Sequence, residues 1–95
     1  MRIVFDPGAS DDLDHIFAWI AQENIVAARQ MVERIEARIG RLARPELAHL
    51  GRVGLVEGTR ELVESPYIIV YEVDIRAAEV IVLAIAHAAQ DRNLH

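Results

Sequence analysis

The side chains with chemistry to offer are few and scattered. His15, His49, His87 and His95 stand apart, with no second histidine or cysteine at a helical or strand repeat, so the spacing that builds a metal site is missing. Each reads as a surface or satisfied core histidine. The chain has no cysteine, which removes thiol nucleophiles, thiolate ligands and disulfides together. No serine occupies a nucleophile elbow, no HExxH occurs, and the glycines from Gly51 to Gly58 are too scattered to cradle a phosphate. His87 is the one histidine placed at the end of a strand, five residues before Arg92, where part of a site can lie. Arg60, beside Glu61 and Glu64, reads equally as a cation offered to a partner or as an anchor on a carboxylate. No metal and no cofactor is implied.

The elements that must position these residues begin with the stretch Gly58 to His87, which predicts three consecutive antiparallel strands. Tyr67–Asp74 and Glu79–His87 are dense in Val, Ile and Tyr, whose branched or flat side chains suit a pleated, half-buried surface. Ser65-Pro66 presets a bend between the first two runs, and Asp74 to Ala77 breaks the next two with charge. Val80–Ala86 is apolar at every position. That pattern predicts an interior strand covered on both faces, with a neighbour on each side.

Upstream, Arg2–Phe5 is a short apolar run, and Asp6-Pro7 can open a helix, with Ser10 as the alternative cap. Ala9, Leu13, Ile16, Phe17 and Ile20 recur at helical spacing as far as about Gln22. Trp19 lies off that stripe, so it either packs sideways on the next helix or is offered to a partner; packing is the expected outcome, because a lone exposed Trp is uncommon. Asn24 can cap a second helix over Ile25–Leu42, with Ala28, Met31, Val32, Ile35, Ile39 and Leu42 on one stripe and Arg34, Arg38 and Arg41 on another. Ala43–Glu57, punctuated by Pro45, Gly51 and Gly54, reads as a loop with a helical turn near Glu46–Leu50. The order β-α-α-β-β-β gives one domain over residues 1–95. It is an α+β two-layer fold, a helical hairpin packed on one face of a mostly antiparallel four-stranded sheet whose first strand joins beside the last. The other face is left apolar and uncovered, and such a patch usually marks an interaction surface.

Charge narrows the partners. The net charge of −5 is divided as −4 over residues 1–24, +3 over 25–52 and −4 over 53–95, and all ten basic residues are Arg. An acidic chain exerts no long-range pull on nucleic acid, whose affinity comes largely from phosphate neutralisation. The two helices of opposite charge are expected to lie against each other. No segment reaches the roughly 18 apolar residues of a membrane span, and the N-terminal run is too short for a signal peptide. The simplest location is the cytoplasm.

The stretch DDLDHIFAWIAQENIVAA, the run RELVESPYIIVYEV and the strand VIVLAIAHAAQD, in that order and spacing, resemble the ParE branch of the RelE/ParE toxin superfamily. The resemblance implies the toxin of a type II toxin–antitoxin pair, neutralised by a cognate ParD-like antitoxin and therefore held in a hetero-oligomer. ParE-type toxins poison DNA gyrase by protein–protein binding, whereas RelE-type members cleave mRNA on the ribosome. In RelE-like ribonucleases cations come from the strand matching Thr59–Leu62, from the position after the Tyr of the next strand, and from the end of the last strand. This chain has Thr59 and Glu61, then Ile68, then Ala88 and Ala89 in those places. Phosphoryl chemistry gathers negative charge that such cations stabilise, so a gyrase-binding toxin that is not an enzyme is the expected reading. The alternatives are a RelE-like mRNA interferase and an inactive antitoxin-binding relic. An antitoxin segment lying over sheet and helices is expected to meet Trp19, Tyr67, Ile69 and Tyr71; Arg60, His87 and Arg92 are the candidate contacts to the target. Nucleic acid enters only through the antitoxin.

Overall fold

A computed structural model describes residues 1–91. The strands are β1 Arg2–Phe5, β2 Arg52–Val53, β3 Arg60–Glu64, β4 Tyr67–Asp74 and β5 Glu79–His87; the helices are α1 Pro7–Ala21, α2 Ile25–Gly40 and the short α3 Ala88–Asp91. The sheet order is β1-β5-β4-β3-β2, with β1 parallel to β5 and every other pair antiparallel. The apolar run Val80–Ala86 therefore has a neighbour on both sides, as its composition predicts. The sheet has five strands rather than four. The added strand, β2, comes from the stretch read as a loop, which also holds two 3-10 turns, Arg41–Ala43 and Pro45–Leu47. Two residues of pairing leave too short a pattern for sequence periodicity to register.

Local chemistry fixes the helix ends. The Asp6 carboxylate accepts the Gly8 N–H ahead of Pro7, and the Asn24 side chain accepts the Ala27 N–H, each satisfying a donor that the first helical turn leaves open. Of the two caps offered by sequence, Asp6 is the one used. Ile35 and Ile39 of α2, Ala9 and Ile16 of α1, and Leu42 just beyond α2 are buried against Leu62, Tyr67, Ile69, Tyr71, Val80, Val82 and Ile85 of the sheet. Burying one such large apolar side chain contributes roughly 1.5–3 kcal/mol.

Register separates the two faces. Tyr67 pairs with His87, Ile69 with Ile85, Tyr71 with Val82 and Val73 with Val80, and these positions share the helix-covered face. Val4, Val70, Ile81, Ala84 and Ala86 alternate with them and are half-buried. The second face of β5 is thus apolar but only partly covered, which corrects the expectation of cover on both sides. Both tyrosines lie on the helix side because Tyr67, Ile69 and Tyr71 alternate along β4, and the register shift opposite Val70/Tyr71, where β5 passes from Ala84 to Val82, brings Val80 and Val82 onto the same face as Ile85 and His87.

Opposite charge does not join the helices. Among the described residues no ion pair links α1 to α2; Arg34 of α2 instead reaches Glu64 of β3 at 2.8 Å. Among the described residues no helix is long and apolar enough to cross a membrane.

Candidate functional site

The first turns of α1 pass over the end of β5 just beyond the point where β1 stops. Phe5, the last residue of β1, pairs with Val82, and the Asp6 N–H closes the ladder on the Val82 carbonyl. Past that point no strand among the described residues lies beside the edge of β5, and a buried backbone donor left there would be costly. Asp12 supplies the acceptor: its Oδ2 takes the Ile85 N–H at 2.8 Å. One carboxylate thus ties helix to sheet and ends the ladder.

That contact is one wall of a groove of about 350 Å³, lined by Asp12, His15, Ile16 and Trp19 of α1 and by Tyr67, Ile85 and His87 of the strands. Spacings of three, four and seven residues place the four α1 side chains on one stripe. From the sheet, the cross-strand pair Tyr67 and His87 meets edge to face, with ring centroids 5.5 Å apart and planes at 87°. Burial raises the Tyr67 phenol above its usual value, so it stays a neutral hydroxyl at physiological pH. His87 Nδ1 accepts the Ala89 N–H at 3.2 Å where α3 begins, which in the neutral ring places the proton on Nε2. Ile16 and Ile85 form a buried floor, whereas Trp19 is 70 % exposed.

The expected site residues separate under this geometry. Trp19, Tyr67 and His87 come together in the groove. The prediction that Trp19 packs on the second helix is overturned by its exposure: at i+7 from Asp12 it lines this groove and, beside it, a second hollow bordered by Gln22, Asn24 and Ala27. Ile69 and Tyr71 are fully buried beneath the helices and present no surface to a partner, because their register puts them on the covered face. Arg60 lies elsewhere. Its Nη1 donates to the carbonyls of Gly51 at 2.8 Å and His49 at 3.2 Å, so it clamps the segment ahead of β2, an anchor as one of its two readings had it, but through carbonyls rather than a carboxylate. Tyr71 works beside it, its buried hydroxyl accepting the Gly51 N–H at 2.9 Å. Arg92 falls outside the described residues.

Asp12 and His15 escaped the sequence reading. The signal was present in their three- and four-residue steps toward Trp19, but Asp12 reads first as an early-turn acid favoured by the helix dipole. Among the described residues the groove lining has no arginine and no serine or cysteine nucleophile. Among the described residues no cluster of three or more metal-ligating side chains exists. What the groove offers is aromatic and apolar surface with one carboxylate and two imidazoles, a surface suited to holding a side chain of a partner.

Residues 3–92 match the family described as the ParE toxin of the type II toxin–antitoxin system parDE. The chain belongs to the ParE toxin family. Among solved structures, it is similar to a chain of the chromosomal ParDE toxin–antitoxin system of Pseudomonas aeruginosa, with TM-score 0.78 and 24% identity over 92% of this chain and 95% of that one. The RelBE2 toxin–antitoxin complex of Mycobacterium tuberculosis contains a chain with TM-score 0.58 and 23% identity, covering 90% of this chain and 95% of that one. A chain of the intact RelBE complex of Escherichia coli gives TM-score 0.54 and 14% identity, covering 90% and 99%. No curated protein matches the sequence significantly. At these identities the structural likenesses establish the shared fold, and the ParE assignment rests on the family match. This ParE-family toxin therefore displays the superfamily architecture, with Arg60 holding backbone carbonyls inside it.

Proposed function

We propose that this ParE-family toxin inhibits DNA gyrase by binding to it, without chemistry of its own, and that a cognate ParD-like antitoxin neutralises it. The observation that carries the binding reading is the state of the positions where RNA cleavage would need cations. Thr59 binds the Val56 carbonyl, Glu61 is buried and paired with Arg52, Ile68 is apolar, and Arg60 is committed to the His49 and Gly51 carbonyls. Phosphoryl transfer on RNA depends on electrostatic stabilisation, and these positions provide little of it. The similar structures from P. aeruginosa, M. tuberculosis and E. coli come from toxin–antitoxin systems, which supports an antitoxin as the second partner. Apolar surface is available for such contacts: Val53, Leu55 and Val56 on the β2–β3 hairpin and Trp19 in the groove are exposed.

The test is expression of the chain alone and together with the small reading frame adjacent to its gene. The expected outcome is growth arrest with induction of the DNA-damage response when the chain is made alone, rescue by the neighbour, and co-purification of the two products as a complex. Arrest with cleaved transcripts and no DNA-damage response would contradict the gyrase assignment, and failure of the neighbour to bind would contradict the antitoxin assignment.

A further inference from the structure

Four carboxylates of the described chain take part in ion pairs, and the others, those of α1 among them, do not. Glu46, Glu61, Glu64 and Glu79 each have an arginine partner: Arg44, Arg52, Arg34 and Arg2 respectively. Asp11, Asp12 and Asp14 of α1 have none, and α1 contains no lysine or arginine of its own. Of these three, Asp12 is the one that lines the groove. Its Oδ2 is fixed by the Ile85 N–H, which orients the carboxylate while Oδ1 has no hydrogen-bond partner among the described residues.

The opposite end of the same stripe presents the indole of Trp19, whose exposed ring is the strongest π-face that a cation can meet among natural side chains. An oriented carboxylate with no ion pair among the described residues and a largely exposed indole lie along one open groove. Buried apolar residues, Ile16 and Ile85, lie between them as a floor for an aliphatic stem. Such a site is complementary to a planar cation on a flexible arm. Guanidinium suits it better than ammonium, since it stacks on aromatic faces and gives up water more readily.

Building on the toxin–antitoxin reading, we propose that the groove between α1 and the ends of β4 and β5 receives an arginine side chain of the antitoxin, its guanidinium stacked on Trp19 and paired with Asp12. The acidic N-terminal quarter of the chain, −4 over residues 1–24, favours a basic segment over an acidic one at this face and disfavours nucleic acid there. The arginine stripe of α2 is a separate surface, and Arg34 on it already has Glu64.

Trp19 is the single tryptophan, so its emission reports on the groove directly. The probe is the blocked peptide acetyl-Ala-Leu-Arg-Leu-Ala-amide, titrated against the intact chain beside its citrulline and glutamate counterparts, with amide shifts mapped in parallel. The expected result is a saturable change in Trp19 emission, at least tenfold tighter for arginine than for citrulline, with shifts centred on Asp12 and Trp19. In Asp12→Asn the amide oxygen can still accept the Ile85 N–H, so the fold is kept while the arginine preference falls to about unity. Equal binding of the three peptides, an arginine preference that survives Asp12→Asn, or shifts centred on α2 would overturn the proposal. None of these results bears on co-purification with the neighbouring gene product, so the inference can fail while the toxin–antitoxin reading stands.

Discussion

Tyr71 shows what a single hydroxyl does in this chain. It sits in the core with no exposed surface and accepts the N–H of Gly51 from a segment that has little regular structure of its own. Tyr71→Phe leaves that buried donor unpaired, and the expected cost is about 1–3 kcal/mol in denaturant-induced unfolding. Gly51 is constrained from the other side: a Cβ there would come within 2.7 Å of the Glu61 carbonyl oxygen and 2.8 Å of the Tyr71 hydroxyl. Gly51→Ala is therefore expected to destabilise by at least roughly 1–3 kcal/mol, the usual cost of overpacking, because backbone cannot yield as a flexible side chain can. Burial raises the phenols of Tyr71 and Tyr67, the only two tyrosines, above the ordinary value of 10. A raised acid favours the neutral form in the fold, so this contribution is whole below pH 10 and is lost as pH climbs through the folded value. Phenolate absorbance should rise with a midpoint above 10 and together with loss of near-ultraviolet circular dichroism; a midpoint at 10 with the fold intact would contradict it. Sequence could mark both tyrosines as strand residues. It could not say that the hydroxyl of Tyr71 faces a glycine twenty positions upstream, since a contact across a loop leaves no periodic trace.

The helices and the two long strands were legible because each buries a stripe with a regular period. Their caps are local, and Asp6 and Asn24 were readable as such. The segment between α2 and β3 was not, because its order comes from outside itself, through Arg60, Tyr71 and the short pairing of Arg52 and Val53 with β3. Arg60→Ala is thus expected to raise hydrogen exchange at Gly51–Gly54 at least tenfold while leaving α1 and α2 unchanged. Equal protection in wild type and variant would show that the clamp is dispensable. The β4–β5 turn gives a prediction of opposite sign. Ala78 has φ of 54°, a left-handed conformation in which its Cβ is disfavoured, and it is held there by bonds to Ile75 and Arg2. Ala78→Gly relieves about 1–2 kcal/mol of backbone strain against a smaller loss of unfolded-state restriction. A net gain of roughly 0.5 kcal/mol is expected in thermal unfolding, and a loss would mean that the turn is not strained.

For the whole molecule, the proposed binding role rests on charge and topology together. The sheet brings the ends of β4 and β5 beneath α1, and this convergence, invisible in one dimension, turns Trp19, Tyr67 and His87 from separate residues into a groove. Elsewhere the same fold commits Arg60 to carbonyls and Arg34 and Arg52 to carboxylates. A binding toxin needs no more than complementary surface, whereas a ribonuclease needs cations free to meet a phosphate. The measurement that separates these is a supercoiling assay with purified gyrase and antitoxin-free chain, run beside transcript cleavage on translating ribosomes. The expected result is inhibited supercoiling with accumulation of gyrase-linked DNA breaks and intact transcripts. Uninhibited gyrase together with cleaved messenger RNA would contradict it.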